Sequence, residues 1–476
     1  MRRRDFLKSA AAVGARGLVP GSLLMLAAPE WVRAMTPGTW TAICGGAGYG
    51  SSYQNGARIL DVVPSPMPTC PAATPHYSGI VDSWGGGTVD QQKGELLFVC
   101  NGGHADYPGN ESYALAFRNG TPAWRRLTEP TPNSVMSVIN SGYPTEYYYP
   151  DGFPRSMHTS GFPTFGDYKV WFPFSNSVTD AAGNSVDQVS SFNRYDATLL
   201  SYDNMGQVLP YSVMTTYGAT GPTSTPIGPY NYYGTGNVTN LGNNAPFGYG
   251  IFDRWAHRVY GFSNYSTSAL AIWSFPTIGA SAGVSSGLYT GGATPPRPAW
   301  ICSVYDLRLI VFGANGGYDN GTVWVYDIAS EIANGGPNKG TLTQVTNITG
   351  TGWYGATVGS SGMCDSGAAY VARNRSIAVG SPRDIAGTIY KLAIPTTTDS
   401  YGRTVYNPSG QWVWTNFTPS GASTNPANWI EGGLANDGTF SKWNIIENMG
   451  DGNSGIVFCG RVEGPTYVYK IPSAGL

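Results

Sequence analysis

Short apolar runs recur along the chain from about Trp40 to the C-terminus, separated by breaks rich in Gly, Asn, Asp and Pro. Examples are Glu95-Leu96-Leu97-Phe98-Val99, Leu309-Ile310-Val311-Phe312 and Ile456-Val457-Phe458. Such runs are too short for core helices, and turn residues flank them, which is the pattern of strands buried on both faces. Tyr- and Trp-bearing stretches such as Val323-Trp324-Val325-Tyr326 alternate with them, as aromatic strands on a pleated surface do. The expected class is therefore all-β.

The runs repeat as a unit: an apolar strand, a turn, a stronger strand ending near Gly, a loop, a Tyr-rich strand and often a Trp-bearing strand. One copy spans Gly94 to Leu127 and another Leu307 to Ala329, each with Gly-Gly after the second strand. A third, from Arg375 to Pro395 and continuing through Gln411-Trp412-Val413-Trp414, lacks the Gly-Gly. These copies resemble kelch repeats, and the resemblance, which covers about Trp40 to Pro472, implies a β-propeller of the kelch and galactose-oxidase-like kind. Second strands near Leu97, Val170, Val259, Leu309, Ile377 and Ile456 make six blades legible. A seventh has room between about Gly206 and Asn244. The last unit reaches the C-terminus without a fourth strand, while Gly38-Thr39-Trp40-Thr41-Ala42-Ile43 is a Trp-bearing strand without a blade. The N-terminal strand is expected to complete the last blade, which removes exposed sheet edges.

Composition sharpens this picture. Charged residues make up only 12% of the 476, and 65 Gly, 34 Pro and 31 Tyr suit many tight turns and few solvent-facing helices. A net charge of −2 leaves no basic stripe for nucleic acid or an anionic membrane.

Basic residues concentrate at the N-terminus, where Arg3-Arg4-Asp5-Phe6-Leu7-Lys8 resembles the twin-arginine export consensus and precedes an Ala- and Gly-rich stretch. The expected division is a signal peptide over 1–34, with cleavage after Ala34, and a single propeller domain over 35–476, periplasmic or secreted. No other stretch is apolar enough to span a bilayer. Of six cysteines, Cys44 and Cys70 form the favoured disulfide pair, whereas Cys100, Cys302 and Cys459 lie in strand-like runs and read as buried thiols.

Candidate chemistry centres on the four histidines. His104 lies in a loop joining second to third strands, and His76 and His158 stand just before first strands in matching His-x-Ser-Gly stretches. The repeat sends these loops to one face, so the three are expected at one channel mouth, where propeller ligands bind. His257 falls in a first-to-second turn on the opposite face and reads as structural. Arg155, Asp106, Glu111 and Arg383 are the charged neighbours of the histidine loops, suited to holding a polar or carboxylated substrate. The same histidines also suit simple interblade hydrogen bonding. A galactose-oxidase-like copper site needs a late Tyr-His pair that is missing after His257, so a copper-radical oxidase is disfavoured. Phosphate-binding and serine-hydrolase motifs are likewise missing.

Two functions follow. In the first, the His- and Arg-bearing face acts on carbohydrate as a polysaccharide lyase: His158, His104 or His76 moves the proton and Arg155 neutralises a uronate carboxylate. In the second, the propeller binds a glycan or protein of the cell envelope without catalysis. The partner is a polysaccharide or other polar small molecule, and the sequence names no cofactor or metal.

Overall fold

The computed structural model describes residues 29–43, 58–69, 76–81, 85–102, 107–118, 121–136, 156, 159, 161, 163–179, 185–193, 248–263, 271–277, 285–288, 298–314, 322–334, 336, 339–352, 366–380, 388–419 and 440–476. It is all-β with a few short helices, and its sheets are arranged like the blades of a propeller. Each main sheet is an antiparallel meander in chain order. The first contains Gly87–Asp90, Glu95–Val99, Ser112–Ala116 and Trp124–Arg126. The second contains Thr164–Gly166, Lys169–Thr179 and Ser185–Asn193. The third contains Gly248–Asp253, Arg258–Ser263, Ala271–Pro276 and Ser285–Leu288, and the fourth contains Pro298–Val304, Leu309–Ala314, Val323–Asp327 and Thr341–Gln344. The fifth is built on Gly367–Val371, Ser376–Gly380, Ile389–Ala393 and Trp412–Phe417, with Ile348–Thr349 added in parallel at its edge. The last holds Trp443–Ile446, Gly455–Phe458 and Thr466–Lys470.

The N-terminal strand Trp40–Ile43 completes this last sheet, pairing antiparallel with Thr466–Lys470 so that Trp40 faces Tyr469. The pairing satisfies an edge that would otherwise expose a row of backbone donors and acceptors. The first strands of these sheets contact one another in cyclic order, each touching the next and Trp443–Ile446 returning to Gly87–Asp90. The marker residues Leu97, Val170, Val259, Leu309, Ile377 and Ile456 all lie on second strands. The segment around 206–244 lies outside the described residues.

Aromatic rings join aliphatic strand residues in the core, both between neighbouring sheets and within one. Trp300 of the fourth sheet meets Trp414 of the fifth edge-on at 6.1 Å, and Trp40 meets Trp443 at 5.5 Å within the last. At Gly380, a Cβ would run into the Trp443 ring, so the glycine ending that second strand lets the tryptophan of the next sheet lie against its backbone.

The segment Glu30–Ala34 forms a short helix that belongs to this core. Val32 is fully buried and Trp31 packs on Phe117 with 6.0 Å between ring centroids. Buried Lys470 donates to the Val32 carbonyl at 2.7 Å and to Asp451 at 2.7 Å. The expected cleavage position after Ala34 falls inside this packed segment.

Cys100, Cys302 and Cys459 are buried, and the Cys100 thiol donates to the Asn110 carbonyl at 3.2 Å. Cys44, Cys70 and Cys364 lie outside the described residues. Among the described residues, no helix is long and apolar enough to cross a membrane.

Candidate functional site

The first strands enclose a central cavity of about 250 Å3. Its wall alternates hydroxyl and amide groups, such as Thr88, Ser303, Ser366 and Asn444, with the rings of Phe165 and Trp443. The first strand is the inner edge of each sheet, so consecutive residues such as Ile301, Cys302 and Ser303 border the cavity, and polar and apolar groups are mixed along it.

Each first strand begins at the mouth reached by the fourth-to-first connections, the face on which the histidine loops were expected. His104, Asp106, Arg155, His158 and Arg383 all lie outside the described residues. Their described neighbours are tied together. Asn101 accepts a hydrogen bond from the Thr159 hydroxyl, the Gly86 N–H donates to the same Thr159 Oγ1 at 2.8 Å, and the Ser156 hydroxyl donates to the Tyr107 carbonyl at 2.6 Å. Residues flanking His104 on both sides are thus bonded to residues flanking His158.

The other two predicted residues are described. His76 precedes the short helix Tyr77–Ile80, is exposed, bonds to the Ser78 hydroxyl and is not part of the cavity wall. Glu111 is buried at 2% exposure, and its Oε1 accepts from both the Tyr107 and Tyr113 hydroxyls. Burial raises its pKa above the ordinary carboxylate value. It too stands away from the cavity wall.

On the opposite side, the residues that immediately follow the first strands are Gln91, Asp167, Arg254, Tyr305, Ala372 and Glu447, of which Gln91, Arg254, Tyr305 and Glu447 border the cavity. This ring of equivalent positions was missed in the sequence, although the repeat register, once each first strand is bounded, picks out all six. Gln91 donates to the Ile445 carbonyl at 2.6 Å and accepts from the Glu447 N–H at 3.0 Å, joining the first and last sheets. Asp167 holds His257 Nδ1 at 2.7 Å and accepts from the Thr277 hydroxyl, placing His257 in a structural contact. Burial, and then a hydrogen bond to Glu447, push the Tyr305 phenol well above its ordinary pKa, so it is a donor and not a base near neutral pH. Its ring stands edge-on to Tyr370 at 5.4 Å, and the Tyr370 hydroxyl donates to Asp306 at 2.6 Å.

Among the described residues, no group of three or more His, Cys, Asp or Glu side chains is placed to hold a metal ion. The described geometry offers hydrogen-bond donors, acceptors and aromatic faces around a concave space, which is the equipment for holding a polar ligand.

No protein-family model matches the chain, and no curated protein matches it. Among solved structures, it is similar to TolB from Acinetobacter baumannii at 10% identity, covering 69% of this chain and 56% of that one, with a TM-score of 0.31. The major Malassezia sympodialis allergen Mala s 1 matches at 10% identity over 82% of this chain and 92% of the allergen, with a TM-score of 0.38. YjhT matches at 10% identity over 73% of this chain and 99% of its own, with a TM-score of 0.33. The chain therefore spans little more than half the length of TolB. Superposition this loose says nothing of function, and the propeller-like arrangement rests on the sheets themselves.

Proposed function

We propose that this chain is an exported, kelch-type propeller of six blades that holds a polar carbohydrate in its central channel. The cavity carries this reading. Hydroxyl and amide groups interleaved with aromatic rings, enclosed by strands from every sheet, match a ligand that presents hydroxyls on its edges and C–H faces above and below. The cyclic contact of the first strands supports a count of six, and the paired N-terminal strand supports closure. Export rests on the twin-arginine run. The burial of Val32 and its bond from Lys470 favour a leader that ends upstream of Glu30 over one that ends at Ala34. N-terminal sequencing of the exported protein distinguishes the two.

The binding test is calorimetry of the exported protein against a panel of neutral and acidic polysaccharides. Ser303→Tyr, which narrows the channel from the fourth sheet, is expected to weaken binding about tenfold or more, since displaced contacts of that size carry more than about 1.4 kcal/mol. Failure of every polysaccharide to bind, or equal binding by Ser303→Tyr, overturns the channel assignment.

A second function, eliminative cleavage of a uronate polymer by His104, His158 and Arg155, is favoured by the hydrogen bonds that join the flanks of the two histidine loops. New unsaturated ends, followed by absorbance and lost in His158→Ala, would support it. Binding without cleavage leaves a glycan-holding envelope protein.

A further inference from the structure

Among the described residues, the interactions of Arg254 at the turn-side mouth are with aromatic rings and include no opposite charge. The neighbouring charges are all engaged. Asp253 pairs with Arg308 at 3.0 Å, and Asp306 accepts from Tyr370 with Arg375 at 3.7 Å. Asp167 is held by His257 and Thr277, and Glu447 is hydrogen bonded by Tyr305. Arg118 spends its guanidinium on the carbonyls of Gln91, Gln92 and Asn448. The Arg254 guanidinium instead lies 3.8 Å over the Tyr305 ring, with the Trp255 ring at 5.9 Å.

That geometry has a chemical consequence. A guanidinium stacked on an aromatic face is fixed in orientation, yet its N–H donors point sideways in its own plane and remain open to a planar acceptor. Beside it, Trp255 is 62% exposed, but its Nε1 donates to the Tyr305 carbonyl at 3.0 Å, so the ring is anchored and presents a face to solvent. Arg254, Tyr305 and Glu447 all border the central cavity. An oriented cation and a carboxylate acceptor thus border the cavity, and an anchored, exposed indole face adjoins the cation.

We infer that this mouth recognises the carboxylate of an acidic sugar: Arg254 takes the carboxylate as a bidentate partner, Trp255 stacks on the sugar face, and Glu447 accepts a hydroxyl. The inference rests on the carbohydrate reading above and adds to it a charge class and a subsite. A monoanionic carboxylate fits better than a phosphate dianion because Glu447 shares the mouth, and a denser negative charge beside it is repelled more strongly.

The test is calorimetry of the full exported chain with glucuronate, glucose and inorganic phosphate. Glucuronate is expected to bind about five- to tenfold more tightly than glucose, the range for a charge-assisted pair open to water. In Arg254→Gln the ratio falls to about one. Trp255→Ala weakens both sugars together. Because Arg254 is exposed, its replacement is not expected to move the thermal midpoint, which a melting curve checks. Equal binding of glucuronate and glucose by the wild type overturns the inference while sparing the carbohydrate reading. So does a ratio unchanged in Arg254→Gln, or phosphate binding as tight as glucuronate. Failure of both sugars to bind overturns the two together.

Discussion

Two buried glutamates, Glu111 and Glu331, are each gripped by a pair of tyrosine hydroxyls, yet the two grips are wired differently. Glu331 sits in the turn Ile328–Glu331 after the third strand of the fourth sheet. Tyr260 of the third sheet donates to its Oε2 at 2.8 Å and Tyr326 of the fourth to its Oε1 at 2.6 Å, so both oxygens are used and two sheets are stapled. The Tyr326 hydroxyl in turn accepts from the Gly340 N–H at 2.9 Å. At Glu111, Tyr107 and Tyr113 both donate to Oε1, while Oε2 is buried without a hydrogen-bond partner among the described residues. Identical residue types therefore do different work. The staple between sheets is saturated, whereas the grip within one sheet leaves an idle acceptor in a dry place, and burial accordingly favours its proton.

The largest way to break this contrast is Glu331→Ala. It strips the acceptor from two buried hydroxyls at a sheet-to-sheet contact and is expected to cost about 2–4 kcal/mol in urea unfolding. A loss below about 1 kcal/mol would mean the staple contributes little. Tyr113→Phe is expected to cost about 1 kcal/mol, because Tyr107 still donates to the same oxygen. A loss as large as that of Glu331→Ala would erase the distinction. The smallest effect at neutral pH is expected for Glu111→Gln, within about 1 kcal/mol of wild type, because removing a poorly compensated buried charge offsets the altered hydrogen bonding. Its signature is the pH profile. A carboxyl whose folded pKa is raised stabilises fully below its unfolded value, about 4.3, and that contribution is lost as pH rises through the folded value. The stability of the wild type relative to Glu111→Gln is therefore expected to fall as pH climbs from about 4 toward neutrality. A flat difference would show that Glu111 is compensated as well as Glu331.

Much of the strand framework was legible because strands buried on both faces must be apolar almost continuously. Runs such as Glu95–Val99 and Leu309–Ala314 announce themselves without knowledge of their neighbours. The unpaired strand at Trp40 and the missing fourth strand at the end were equally readable, since each defect implies the other. The site was less legible. Glu111 looks in sequence like a loop carboxylate beside His104, but it is buried with Tyr107 and Tyr113, and the Tyr107 ring in turn meets that of Tyr77 at 5.7 Å, thirty residues earlier in the chain. His76 matches His158 in local sequence and yet opens a helix away from the cavity wall. Val32 sits in what reads as an export leader, and only its contact with Lys470 reveals a core position.

The sequence by itself determined the class of element, the order of the strands and the pairing of the two ends, because periodicity and turn chemistry act over a few residues. Only the tertiary structure decided which polar groups face a cavity, which are sealed beneath another segment, and which cation is laid over an aromatic face. Those outcomes depend on contacts between residues far apart in the chain, as Arg254 over Tyr305 and Gln91 against Ile445 do. Solvent access and charge compensation are properties of such contacts, and no local pattern of residues encodes them.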